Sequence, residues 1–264
     1  MFEDDTYDML HRPKTYGESV FLVTAVATYY PAFTKVFVPS IPYEKLLPDM
    51  EPIGKKILYA TNGIAKTSNE DDLERSIRRT KASIRDYAIN NQFELFATFT
   101  FKNDRYDNQK TKVKMNNWLK NQKKRTGKFE YLIVSEFHKD KKALHFHALI
   151  KGYKGKLEPA TNPKTNKIIK NVFQFPSYTL GFNNVKKIDN DPRSSAKVGN
   201  YIRKYITKDM PVFHSQHRYW VSSNVKRPTK EDNPNWYHLF KPDTTYVTEY
   251  GTIYEYYGIT EAES

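Results

Sequence analysis

Two apolar runs joined by a short polar link constrain this chain more than any other feature. The first run is Tyr131-Leu132-Ile133-Val134-Ser135-Glu136-Phe137, and the second is Leu144-His145-Phe146-His147-Ala148-Leu149-Ile150. The link between them, residues 138–143, is short enough for a hairpin. Alternate side chains of a strand leave the same face, so His145 and His147 project together while Phe146, Ala148 and Ile150 enter the opposite layer. Antiparallel pairing of the two runs brings the Glu136 carboxylate toward both imidazoles. Such a set is expected to hold a metal ion through three ligands, leaving positions open for substrate oxygens. His138 lies two residues after Glu136 and is the rival third ligand, either on a continued strand or in the turn.

The rest of the composition narrows the chemistry. The chain has 264 residues and no cysteine. Any metal must therefore be held by His, Asp or Glu, and disulfides are excluded. No stretch reaches the length of a membrane span, and the start, Met1-Phe2-Glu3-Asp4-Asp5, is acidic rather than apolar. The expectation is a soluble protein with no membrane partner. Forty-three Lys and Arg against 30 Asp and Glu leave a net charge of +13, with 20 Tyr, 16 Phe and 3 Trp. Excess positive charge attracts polyanions, and flat rings stack on unpaired bases.

Residues 1–66 read as an N-terminal extension of uncertain role. Its apolar segments near 20–27, 35–39 and 56–60 are broken up by Pro31, Pro39, Pro42, Pro48 and Pro52. A helix is expected from about Asn69 to Asn90, opened by the capping box Thr67-Ser68-Asn69-Glu70. Leu73, Ile77, Ile84 and Ala88 form its apolar stripe, and Arg75, Arg78, Arg79, Lys81 and Arg85 its basic flank. Phe93 to Phe101 reads as a buried strand. A second helix runs from Lys110 to Arg125, with Gly127 as terminator. Gly152 to Asn171 reads as a surface insertion. Val172 to Ile188 is expected to be strand-like with a break near Gly181, and a third helix is expected over Ala196–Asp209. Strands outnumber helices and alternate with them irregularly, which favours an α+β layer fold.

The third helix carries Tyr201-Ile202-Arg203-Lys204-Tyr205-Ile206-Thr207-Lys208. Positions 201, 204, 205 and 208 cluster on one side of a helix, so two phenols and two ammonium groups point the same way. A phenol has an ordinary pKa of about 10 and is a poor nucleophile at neutral pH. A nearby lysine or a metal-polarised phosphate eases attack on a phosphodiester.

At this point the chain resembles the HUH endonucleases. His145-Phe146-His147 matches their two histidines around a hydrophobic residue. Tyr201-Ile202-Arg203-Lys204 matches Tyr-x-x-Lys, which Tyr205 extends to a two-tyrosine form. Phe96-Ala97-Thr98-Phe99-Thr100-Phe101 is similar to the first replication-initiator strand, with Phe99 in place of the usual leucine. The order of segments looks like that of the rolling-circle initiators of bacterial phages and plasmids. Supporting stretches are Arg75-Ser76-Ile77-Arg78-Arg79-Thr80, Val134-Ser135-Glu136-Phe137-His138-Lys139-Asp140 and Arg218-Tyr219-Trp220-Val221-Ser222-Ser223.

The resemblance implies a nuclease domain over 67–229, followed by a C-terminal tail over 230–264. It implies a ferredoxin-like or RRM-like central antiparallel sheet, with the HUH motif on a central strand and helices packed on one side. It also implies nicking of single-stranded DNA at a replication origin, in the cytoplasm of a bacterial host. Glu136, His145 and His147 would hold Mg²⁺ or Mn²⁺; the mixed nitrogen and oxygen set suits Mn²⁺ better. Tyr201 would attack first and Tyr205 would serve a second transfer, although the order of the two phenols does not follow from spacing. Lys204 would stabilise phosphate charge, and Arg75, Arg78, Arg79 and Lys208 would bind DNA. No Gly-x-x-x-x-Gly-Lys-Ser/Thr appears, so a host helicase is expected to unwind and a host polymerase to extend. Four rivals stand beside this reading. Two are a transposase and a relaxase of the same class. The others are a non-catalytic single-stranded DNA-binding protein and an iron(II) oxygenase using the same two histidines and carboxylate.

Overall fold

The computed structural model describes residues 20–46, 69–138, 140, 142–162, 164–189, 192–205 and 219–259. The elements in chain order are β1 (Val20–Val23), β2 (Val26–Tyr29), β3 (Phe33–Pro39), β4 (Tyr43–Leu46), α1 (Asn69–Asn91), β5 (Leu95–Phe99), α2 (Asn108–Thr126), β6 (Glu130–Phe137) and β7 (Leu144–Lys151). They continue with β8 (Glu158–Thr161), β9 (Ile168–Gln174), β10 (Asn183–Lys187), α3 (Pro192–Ile202), a 3-10 turn (Arg203–Tyr205), β11 (Tyr219–Val221), β12 (Thr229–Asp232), β13 (Thr244–Thr248) and β14 (Gly251–Tyr257). This is the expected α+β class. Among the described residues, no helix is long and apolar enough to cross a membrane.

The chain divides into two compact units. The smaller takes its described residues from 1–27, 35–64 and 230–256. There β1 pairs antiparallel with β4, and β13 with β14, the latter pair within a sheet of order β12-β2-β3-β14-β13. Asn233 ties the two chain ends together. Its side-chain oxygen accepts from the Thr24 backbone N–H at 2.7 Å, and its amide donates to the Leu22 carbonyl at 2.7 Å. An ion pair between Lys45 and Asp232 joins the same segments.

The larger unit, with described residues from 28–34, 65–229 and 257–264, is built on a seven-stranded sheet of order β11-β6-β7-β5-β10-β9-β8. All neighbours pair antiparallel. The histidine strand β7 lies inside it, between β6 and β5. One face packs Ala97, Phe99, Ile133, Phe146, Ala148 and Ile150 with Met115, Trp118 and Leu119 of α2. The other packs Leu132, Val134 and Leu149 with Ile77, Ile84, Tyr87 and Ala88 of α1 and Ile202 of α3. Alternation along β6 and β7 thus feeds two cores, and α1 and α3 share the face that carries the histidines.

Local chemistry sets the boundaries. Asp107 caps α2, accepting from the backbone of Gln109 at 3.1 Å and Lys110 at 2.9 Å, which moves the start to Asn108. Gly127 ends it at φ 88°. Two expectations are corrected. The segment Gly152–Asn171 contains β8 and the start of β9; its Lys, Asn and Pro content suggested a loop because an edge ribbon has little to bury. The third helix begins at Pro192 and tightens into a 3-10 turn after Ile202, rather than running from Ala196 to Asp209 as one α-helix. Residues 206–209 and the hydroxyl side of the capping box at 67–68 lie outside the described residues.

The break near Gly181 has a steric cause. A Cβ there would collide with the Thr100 carbonyl group, because Thr100 donates its N–H to Phe182 across this crossing. We expect Gly181→Ala to destabilise the protein by roughly 1–3 kcal/mol. A urea midpoint indistinguishable from wild type would contradict this.

Candidate nucleic-acid cleavage site

Strand register brings the chemistry together. Glu136 stands directly opposite His145, and Val134 opposite His147, in the β6–β7 ladder. The turn that fixes this register is held by Asp140, whose carboxylate accepts from the backbone of Lys142 at 2.9 Å and Ala143 at 3.0 Å. His138 donates its backbone N–H to Ala143 at 2.7 Å and so closes the hairpin just outside β6.

The donors stand as two pairs. His147 Nε2 is 3.0 Å from Glu136 Oε2. His145 lies edge-on to His138, ring centroids 4.7 Å apart. Among the described residues, no group of three or more His, Asp or Glu side chains is arranged to hold an ion. The expected meeting of Glu136, His145 and His147 at one point is therefore not formed. Their chemistry still fits a divalent ion, since two imidazoles and a carboxylate share one face of adjacent strands. Burial, followed by the neighbouring His138 and His147, lowers the pKa of His145. This favours the neutral ring that a metal needs.

Thr98 is a residue that reading the sequence assigned no role. It pairs with His147 in the β5–β7 register, and its hydroxyl sits 3.2 Å from His147 Nδ1. A carboxylate can only accept, so the ring places its Nε2 proton toward Glu136 and takes the Thr98 hydroxyl proton at Nδ1. Thr98 therefore fixes the orientation of the imidazole. The signal was present in the strand motif 96–101, but alternation alone does not identify a hydrogen-bond partner.

The tyrosine turn docks on the same strand. Tyr205 stacks on His147 with centroids 3.7 Å apart and planes 7° from parallel. Tyr201 meets Tyr205 at 5.5 Å and 87°, and meets Phe96 edge-on at 5.3 Å. Phe96, a second residue without an assigned role, thus shelves both His147 and Tyr201. Lys204 Nζ lies 5.3 Å from the Tyr201 ring centre. Burial first, then the hydrogen bond and charge of Tyr201 and the Glu136 carboxylate, raise the Tyr205 pKa well above its ordinary value. Tyr201 is 45% exposed. The two phenols are thus inequivalent: one is open to solvent beside a lysine, the other is held protonated against an imidazole.

The position of the turn follows from a close helix crossing. A Cβ on Gly199 would stand 3.0 Å from Ala88 Cβ, so α3 lies tight on α1 two residues before Tyr201. Of the expected DNA-binding residues, Arg78 and Arg79 are exposed on α1 and Arg75 is half-buried there. Lys208 lies outside the described residues. A pocket of about 350 Å³ at the β11 edge, lined by Tyr87, Tyr131, Tyr219 and Arg227, contains none of the expected site residues.

Residues 94–210 match the family model of the replication-associated protein ORF2. No curated protein and no solved structure matches the chain. The matched segment spans Phe96, Thr98, Glu136, both histidines of β7 and both tyrosines. It supports a replication-initiator family, and with it a role in DNA replication.

Proposed function

We propose that this chain initiates replication by nicking single-stranded origin DNA with Tyr201. The observation that carries the reading is the stacking of the tyrosine turn on the histidine strand, which joins the two motifs into one site. The Tyr201 phenolic oxygen attacks the scissile phosphorus. The bond from phosphorus to the 3′ oxygen breaks, the phenolic proton passes to solvent, and the 3′ oxygen takes up a proton to leave as a hydroxyl. The phosphate stays on the 5′ side of the break as a phosphotyrosine, and the hydroxyl is free for a polymerase to extend. Lys204 offsets charge on the phosphate oxygens. Glu136, His145 and His147 would hold Mg²⁺ or Mn²⁺, which supplies Lewis-acid polarisation of the phosphate. Tyr205 holds its proton in the present arrangement, which suits it to a second transfer after the first phenol is consumed.

Tyr201→Phe should abolish covalent capture of a single-stranded oligonucleotide in Mn²⁺, read on a denaturing gel. Adducts that persist and map elsewhere would remove Tyr201 from its role. Tyr205→Phe should keep the first adduct and lose the strand transfer that resolves it. Equal loss of both steps would show instead that Tyr205 positions His147 or Tyr201 for the first cut.

Thr98→Val should weaken Mn²⁺ binding by roughly 10- to 100-fold by calorimetry, as loss of an orienting partner does. Glu136→Gln should weaken it at least as much, and His138→Ala far less. The reverse order for the last two would make His138 the third ligand.

A further inference from the structure

The hairpin formed by β8 and β9 plays no part in the chemistry above. It lies at the far end of the seven-stranded sheet from β11. Three strand spacings, about 14 Å at ~4.8 Å each, separate β9 from the histidine strand. From Pro159 to Gln174 the sequence holds Lys164, Lys167 and Lys170 and no acidic residue. All three lysines are exposed. Ile168 is also 69% exposed, with Ile169 beside it at 37%.

The ribbon has a defined shape. At its tip the Asn162 side-chain oxygen accepts from the Lys164 backbone at 2.9 Å and from Thr165 at 3.3 Å. Asn162 donates its N–H to Lys167 at 2.9 Å, and Asn166 donates to Asn162 at 2.8 Å. Asn166, at φ 54°, supplies the left-handed residue that this turn requires. Pairing of β8 with β9 shifts register between Pro159 and Thr161.

Three arguments select the occupant. Charge complementarity favours a polyanion. Strand addition by a second copy is disfavoured, because Pro159 and the register shift interrupt the β8 edge. An unpaired strand is disfavoured because residues 159–172 include no aromatic ring on which bases stack. A two-stranded β-ribbon does fit the major groove of duplex DNA, about 12 Å wide. There lysines meet phosphates, Asn and Thr side chains such as Thr165, Asn166 and Asn171 meet base edges, and isoleucine methyls meet thymine methyls.

We propose that the β8–β9 ribbon enters the major groove of duplex DNA next to the strand being cut. The proposal rests on the reading of the chain as a DNA-nicking protein, but it concerns paired DNA and a separate surface.

The test uses the full chain and fluorescence anisotropy. The probes are a labelled mixed-sequence duplex of about 20 base pairs, two helical turns, and an oligothymidine of equal length, titrated between about 50 and 200 mM salt. The ribbon variant combines Lys164→Gln, Lys167→Gln and Lys170→Gln. The charge-matched control combines Lys120→Gln, Lys124→Gln and Arg125→Gln on exposed positions of α2. The ribbon variant should lose at least about tenfold in duplex affinity, and its salt slope should fall by roughly 2–3, near 0.9 per lost phosphate contact. Its affinity for oligothymidine should stay within the control's range. Ile168→Ser with Ile169→Ser should weaken duplex binding with no change in salt slope.

Equal losses in ribbon variant and control, or equal losses on duplex and single strand, would overturn the proposal. Covalent capture of a single-stranded oligonucleotide in Mn²⁺, run in parallel, separates the two readings. Wild type without adducts but with ribbon-dependent duplex binding removes the nicking reading and keeps the ribbon. Adducts without ribbon-dependent duplex binding do the opposite.

Discussion

The register of β6 on β7 is the constraint on which the site depends. Pairing Glu136 with His145 and Val134 with His147 puts a carboxylate and two imidazoles on one face while Phe146, Ala148 and Ile150 fill the core on the other. A slip of one residue would send every one of these groups to the wrong layer. Both faces are buried, so the apolar residues themselves hold the polar ones in place. The Asp140 turn adds a local lock at the end of the hairpin nearest the site. The β5 ladder adds a third, because Thr98 can orient His147 only when Phe99 pairs with Phe146.

The tyrosines reach this face through packing of a different kind. Gly199 lets α3 lie against Ala88 of α1, and Ile202 anchors the end of the helix in the core. The tightening into a 3-10 turn then matters chemically. It sets Tyr205 flat on His147 and leaves Tyr201 standing at right angles beside Lys204. One ring is used for contact and the other is left available to substrate. Two tyrosines that look alike in sequence are made different by a change of helical pitch between them.

Much of the site was legible because its signals are local. Alternation in two short runs gave the strands, their faces and the candidate ligands, and the order of motifs gave the tyrosines. What escaped was set by contacts between segments far apart in sequence. Thr98 and Phe96 acquire roles only once β5 lies beside β7, and Gly199 only once α3 crosses α1. The ribbon of β8 and β9 read as a loop because its residues face water on both sides and carry no period-2 pattern. The pairing of Asn233 with Thr24 and Leu22 joins residues some two hundred positions apart, a distance at which composition is silent. The ligand arrangement shows a further limit. Sequence and register bring Glu136, His145 and His147 to one face, but the side chains there settle into hydrogen-bonded and ring-packed pairs.

The central claim is that a phenol on the 3-10 side of α3 and the imidazoles of β7 act on one phosphate. Mass spectrometry of peptides from the protein incubated with a single-stranded oligonucleotide and Mn²⁺ tests it most directly. The account predicts a tyrosine-containing peptide, carrying Tyr201, joined through phosphate to the 5′ end of the downstream DNA fragment, with the upstream fragment ending in a 3′ hydroxyl. A cleaved oligonucleotide with no protein attached, or an intact one under the same conditions, would contradict it.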